Sequence, residues 1–334
     1  MARQIKEFVD AWRALSAFSS ADGWQTVPVA PAGSCLLRAG RHFPGNEEAL
    51  LACFAPAPIP TSQSLPRGKG FSVDRLGGSD ANAGWLALSR QPQGSGELFS
   101  MMVVDVAGAL DANSKLDEQE LLRIFLGRVR AWQDFMKAGS NVLSPEAELG
   151  LIGELCFIQI LIEAGIDLAS VIESWVGPLD APQDFSIGAG AIEVKSTLAR
   201  KGFRAKIGSL DQLDDGVRHP IFFVAARFYE HQSGRALHQY IDDVKQAIAQ
   251  DPFAGNSFAN RLLAAGYLDA HATRYTRRFS LSEIRILHVG KDFPRITHGN
   301  VPAGVMNASY EIDVDQATLE NVAPVDVLRR LGAL

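Results

Sequence analysis

The sequence predicts an α/β protein, α+β overall, in which a mixed sheet flanked by helices follows a smaller β-rich region. Three observations predict it. Ile221-Phe-Phe-Val-Ala-Ala is a continuous apolar run, the pattern of a central strand buried on both faces. Asp184 to Ile187 and Ala191 to Ser196 read as two strands joined through Gly188-Ala189-Gly190, directly after an apolar helix that opens at Ser144. The N-terminal third, by contrast, holds short apolar runs punctuated by Gly and Pro.

Taken in order, residues 3 to 18 place Ile5, Phe8, Trp12, Leu15 and Phe18 at helical spacing and predict an amphipathic helix. Val27 to Val29, Cys35 to Leu37, Leu50 to Phe54, Trp85 to Leu88 and Leu98 to Val106 then read as strands. Connectors over Pro56 to Gly70 and Arg90 to Gly96 separate them, as in a sandwich or barrel. A helix from Leu116 to Lys137 carries Leu121, Phe125, Val129, Trp132 and Met136 on one stripe and is expected to pack between two domains. Ala138-Gly-Ser-Asn141 marks a boundary. These readings give a β-rich domain over 1–115 with a leading helix, a connecting helix over 116–140 and an α/β domain over 141–334.

In that last part Ser144 is an N-cap, Pro145 suits the first helical position and Gly165 a C-terminal cap. Beyond the hairpin, Phe203 to Ile207 and Phe279 to Val289 read as strands, and the segments near His238 to Gln250 and Asn256 to Ala265 as covering helices. Gly290 to Ala308 is a loop, Tyr310 to Val314 a strand, and the tail from Thr318 helical.

Hydrophobic residues at 47% and charged residues at 21% over 334 positions fit a folded protein with a substantial core. Cys35, Cys53 and Cys156 form no C-x-x-C pair, which argues against a disulfide framework or a zinc ribbon. The N-terminus lacks the apolar core of a signal peptide, and no apolar run reaches membrane-spanning length, so a cytoplasmic location is expected. A net charge of −6 does not advertise nucleic-acid binding, but Arg200, Lys201, Arg204 and Lys206 form one local basic cluster and Arg274, Arg277 and Arg278 another. Such runs are usually solvated faces.

Side chains alternate along a strand, so Glu193 and Lys195 share one face while Ile192 and Val194 take the apolar other. If Ile187 pairs with Ile192, Asp184 falls opposite Lys195 on the polar face; a one-residue slip would move it across. Two carboxylates so placed suit Mg²⁺, which prefers oxygen ligands, and the ammonium can face a phosphate or a water. Glu154 has Leu151, Phe157 and Ile158 as helical neighbours, so it lies on or beside the buried stripe and needs a partner there. Glu148 reads as a surface acid compensating the helix dipole. Taken alone, Glu193 and Lys195 read as a cross-strand surface ion pair.

A helix Glu, then Asp, then Glu-Val-Lys on adjacent strands resembles the PD-(D/E)XK nuclease superfamily. Phe293-Pro-Arg-Ile296 and Tyr310-Glu-Ile-Asp313 resemble a bacterial branch of it. The pattern departs in one place: Pro182-Gln183-Asp184 inserts a residue into the Pro-Asp pair. The resemblance implies a restriction-endonuclease-like fold over 141–334. It implies metal-dependent DNA cleavage by Glu154, Asp184, Glu193 and Lys195, with Mg²⁺ or Mn²⁺ on Asp184, Glu193 and the Val194 carbonyl. The basic cluster from Arg200 to Lys206 would then bind DNA, and Gln212 is either an accessory site residue or a loop polar residue. Also implied is a defence or restriction-modification setting with helicase, ATPase or methyltransferase partners. The alternative is a catalytically silent DNA-binding or scaffold subunit, and a further one is an N-terminal protein-interaction module. No G-x-x-x-x-G-K-[ST] loop, G-x-S-x-G elbow or H-E-x-x-H pair is present, which leaves no sequence case for a P-loop NTPase, an α/β-hydrolase or a zincin. His298-Gly-Asn300 stands alone and carries no assignment.

Overall fold

A computed structural model describes residues 4–17, 22–55, 64–76, 84–139 and 142–334. The chain forms two compact units, Met1–Ser140 and Asn141–Leu334. Positions 3 and 18, most of the connector after Pro56, and residues 140 and 141 of the expected boundary lie outside the described residues.

In the first unit, helix α1 (Ile5–Leu15) precedes strands β1 (Gly23–Ala32), β2 (Cys35–Phe43), β3 (Glu47–Cys53), β4 (Phe71–Leu76) and β5 (Trp85–Arg90), then helices α2 (Gly96–Ala112) and α3 (Glu118–Ala138). The strands form one antiparallel sheet in the order β1-β2-β3-β5-β4. Trp12 of α1 is buried and its Nε1 donates to the Ala49 carbonyl at 2.9 Å.

One expectation fails here. Leu98 to Val106 is helix, not strand: Ser95 caps it by accepting from Leu98 N at 3.3 Å. The buried positions Phe99, Met102, Val103, Val106, Ala107 and Leu110 follow the helical period. Helix α3 buries Leu121, Phe125, Val129 and Trp132, with Phe125 on Phe54 at 5.4 Å and a link to α2 through Arg128 and Asp105 at 2.6 Å. Trp132 Nε1 donates to the same Asp105 carboxylate at 2.6 Å, so the one acid in the apolar run is satisfied twice.

The second unit contains α4 (Pro145–Glu163), α5 (Leu168–Ser174), β6 (Phe185–Ile187), β7 (Gly190–Thr197), β8 (Arg204–Ile207), β9 (Ile221–Arg235), α6 (Leu237–Ala247), α7 (Pro252–Ala264), β10 (Phe279–His288), β11 (Tyr310–Asp313) and α8 (Pro324–Leu331). Its main sheet runs β10-β9-β7-β6 and is mixed: β7 and β9 are parallel, the other pairs antiparallel. One face carries Ile192, Val194, Phe222 and Val224 into a core completed by α4, α5, α6 and α7. The other carries Ala191, Phe223 and Ala225 against the small β8–β11 sheet. From Ile221 to Phe228 strand β9 is therefore buried on both sides, which is why its apolar run is uninterrupted.

The caps of α4 stand where its residues place them. Ser144 accepts from Ala147 N at 3.2 Å, and Gly165 at φ +82° lets Ile166 N reach back to the Leu161 carbonyl at 3.4 Å. The hairpin register differs by two from the expected one: Ile187 pairs with Gly190 and Phe185 with Ile192. Gly188 (φ +54°) and Ala189 alone make the turn, so Gly190 belongs to the strand. A shift of two keeps every side chain on its expected face.

Gly190 is confined. A Cβ there would lie 2.1 Å from the Pro220 carbonyl oxygen and 2.4 Å from Leu331, whereas one at Gly150 in α4 meets nothing within 4 Å. Gly190→Ala should destabilise the protein by about 1–3 kcal/mol through overpacking, and Gly150→Ala should stabilise it by about 0.5–1 kcal/mol. Urea midpoints check both; equal midpoints for the two variants would contradict this packing.

Candidate active site

Strand β7 outruns its neighbour β6, and that mismatch builds the site. The last paired residues are Phe185 and Ile192, so among the described residues no strand lies along the β6 side of β7 from Glu193 onward. Asp184 fills the gap: its Oδ2 accepts from Val194 N at 2.7 Å. The Val194 carbonyl faces the same edge, because N–H and C=O of one strand residue point to the same side. Asp184 is anchored in turn through its own carbonyl, which accepts from Val176 N at 2.8 Å and Gly177 N at 2.9 Å.

Glu193 and Lys195 project from one face of β7, level with Phe223 and Ala225 of β9. The Glu193 side chain is 1% exposed and that of Lys195 22%. Lys195 Nζ sits 2.5 Å from Glu193 Oε1. Glu193 Oε2 is shut off from solvent and has no hydrogen-bond partner.

Helix α4 brings Glu154 to the same place. It approaches β7 closely at Gly153, where a Cβ would fall 2.0 Å from Ser196 Oγ and 3.4 Å from Val194 Cγ1. The next residue, Glu154, accepts from the indole N–H of the buried Trp175 at 2.6 Å. Trp175 follows α5, which Asp167 caps by accepting from Ser170 N at 3.0 Å.

Burial dominates the electrostatics. It pushes the Glu154 carboxyl up to about 8, with the Asp184 charge adding to the rise while Trp175 and Lys195 oppose it. Burial likewise raises Asp184 against the pull of Lys195 and the Val194 N–H. Glu193 is raised well above the ordinary carboxylate range by burial and then by Asp184. Burial works against the Lys195 ammonium too, yet Glu193, with Asp184 and Glu154 behind it, outweighs that and holds its pKa above the usual value. Three carboxylates face one ammonium, an excess of two negative charges when all are ionised. A buried acidic excess beside an unpartnered carboxylate oxygen and an edge carbonyl is a donor set that suits a hard divalent cation. Among the described residues no group of three or more His, Cys, Asp and Glu side chains is placed to hold a metal. A cation here would rest on Asp184, Glu193 and the Val194 carbonyl.

The remaining candidates lie elsewhere. Glu148, expected at the surface, is buried and ion-paired to Arg277 at 3.4 Å, because Arg277 also holds Glu230 at 2.9 Å and draws the acid inward. That engages Arg277, and Arg278 donates to the Gly234 carbonyl at 3.1 Å. Gln212 spends its side-chain oxygen on Gly208 N at 2.7 Å, a loop-closing contact. Arg200, Lys201, Arg204 and Lys206 are all exposed, but Arg204 and Lys206 stand opposite Asp313 and Glu311 of β11.

Sequence reasoning missed two residues. Trp175 orients Glu154, and the Asp167 cap was the available signal for the helix that delivers it. Gln183, the inserted residue, is buried with its Nε2 on the Asp211 carbonyl at 2.7 Å; no pattern in the sequence marks it.

A family model described as "Putative PD-(D/E)XK family member, (DUF4420)" matches residues 8–315. No curated protein and no solved structure matches the chain.

The Glu154 carboxyl predicts a pH dependence. Its value rises from an ordinary 4.5 to about 8 on folding, so the folded state holds this proton more tightly. The stability it contributes is complete below about pH 4.5 and is lost as pH rises toward 8. Metal-free protein should therefore show a urea midpoint that falls over this range, and Glu154→Gln should flatten the fall. An unchanged slope in the variant would show that Glu154 is not held protonated.

Proposed function

We propose, because the chain belongs to the PD-(D/E)XK family described by that model and so has a restriction-endonuclease-like fold, that it is a metal-dependent nuclease cutting DNA. The observation that carries this is the buried Glu193 carboxylate, with one oxygen on Lys195 and the other unpartnered. A static surface ion pair would need neither the burial nor the two further acids around it.

Phosphodiester hydrolysis needs an anionic phosphate neutralised and a water made nucleophilic at neutral pH. Mg²⁺ or Mn²⁺ bound by Asp184, Glu193 and the Val194 carbonyl would supply charge neutralisation and acidify a water. The chain's residues do the rest. Asp184 is fixed by the Val194 N–H, so its second oxygen is free for the cation. Lys195 stays protonated and donates to a phosphate oxygen or orients the attacking water. Glu154, held by Trp175, stores or releases a proton beside them. Family membership is also what supports a setting in defence or restriction-modification with helicase, ATPase or methyltransferase partners.

A second reading, a catalytically silent DNA-binding or scaffold subunit, rests on the 2.5 Å contact of Lys195 with Glu193, which occupies one of the two oxygens a cation would use.

Cleavage of supercoiled and single-stranded DNA separates the two. With Mg²⁺ or Mn²⁺, wild type should cut, and Lys195→Ala and Glu193→Gln should each lose about 10²–10³ in rate. Ca²⁺, looser in its geometry, should support DNA binding with little turnover. Equal activity in all three proteins would assign the cutting to a contaminant; none in any, with partner subunits present, would establish the silent subunit.

A further inference from the structure

Arg227 is a buried cation that the proposed chemistry does not use. It stands on β9 level with Thr197, two residues beyond Ala225, which is level with Lys195. Two residues along a strand restore the same face, so Arg227 shares the Lys195 face, about 6.6 Å further along. Its fork is fully engaged. Nη1 donates to the carbonyls of Ala199 and, at 3.0 Å, Gly202, while Nε and Nη2 each lie 3.1 Å from Glu283 and Asp315 respectively. Arg285 closes the arrangement, 2.5 Å from Asp315 and 3.3 Å from Glu283, and the two guanidiniums lie 5.6 and 5.8 Å from the Phe203 ring.

The segment between the two clamped carbonyls contains Arg200 and Lys201. Both are exposed, and neither makes an ion pair among the described residues. The turn admits little change: Gly202 sits at φ +68°, and a Cβ on it would lie 2.8 Å from Asp313. Of the basic cluster, then, Arg204 and Lys206 lie on β8 opposite Asp313 and Glu311 of β11, while Arg200 and Lys201 lie in the loop that Arg227 holds. A planar guanidinium is suited to this task, since its five donors hold a fixed fork that an ammonium cannot reproduce.

We infer that Arg227 is a positioning residue: it holds Ala199–Gly202 so that Arg200 and Lys201 contact phosphates of the bound strand next to the one at Lys195. This rests on the DNA-cutting reading and adds the residue that holds the contacting loop in place.

The test is the salt dependence of DNA binding, measured with a labelled duplex and Ca²⁺ in place of Mg²⁺. Arg200→Gln with Lys201→Gln should lower the slope of log K against log salt by about 1.8, two contacts at about 0.9 each. Arg227→Lys should lower it by the same amount, and the triple variant no further. Gly202→Ala, which displaces the loop and leaves Arg227 intact, should lower it as well. Glu283→Gln, which breaks an ion pair of Arg227 but neither loop bond, should leave the slope at the wild-type value. A wild-type slope in both Arg227→Lys and Gly202→Ala, or a fall in Glu283→Gln as large as theirs, overturns the positioning role alone. A slope that does not respond to the Arg200 and Lys201 changes overturns the DNA path at this loop altogether.

Discussion

The second unit depends on a strand edge that is left open and then closed by a side chain. Strand β6 stops at Phe185, and the Val194 N–H, which a longer strand would have engaged, is taken by Asp184. A buried N–H without a partner would cost roughly 1–3 kcal/mol, so the short strand is tolerated only because a carboxylate stands in its place. That substitution puts a negative charge, a free carbonyl and the Glu193–Lys195 pair within one small region. The same gap admits Glu154 from α4, and the loop at Val176 and Gly177 holds Asp184 by its backbone.

Assembling these charges away from water is unfavourable for folding. All three carboxylates are raised by burial first, and two of them are raised further by Asp184. A structure selected only for stability would replace such a group with apolar side chains of similar volume. The surroundings supply the rigidity needed to hold it: Gly153 lets α4 seat against Val194 and Ser196, and Trp175 fixes the Glu154 carboxylate. Each support comes from an element whose own packing is apolar, with Trp175 against Phe258 at 5.8 Å and Phe157 against Phe185 at 5.0 Å.

The same economy of partners recurs at Arg227 and in the N-terminal unit. The Arg227, Arg285, Glu283 and Asp315 quartet carries no net charge, so it can lie against Phe203 while its donors hold a loop. In the first unit Arg128 and Trp132 together satisfy Asp105 between α2 and α3. In both places buried polar groups join elements, whereas Glu193 Oε2 has no hydrogen-bond partner.

By itself the sequence determined the helix from Ser144, the hairpin with its polar face and the doubly buried strand at Ile221. These rest on local rules: caps, two-residue alternation and apolar runs act within a few neighbours, so they are legible without the fold. Only the tertiary structure decided the register, in which Gly190 joins the strand and pairs with Ile187. It decided that Leu98 to Val106 is helix, because apolar runs of that length satisfy both periods until a partner surface chooses between them. It placed Glu148 in an ion pair with Arg277, 129 residues away in the chain, and Trp175 on Glu154. It set Arg204 and Lys206 of one basic run opposite Asp313 and Glu311 and left Arg200 and Lys201 in a loop, since the β8–β11 pairing is invisible to sequence spacing. The raised carboxyls belong to the same class: they follow from desolvation, which exists only once distant segments have closed over the site.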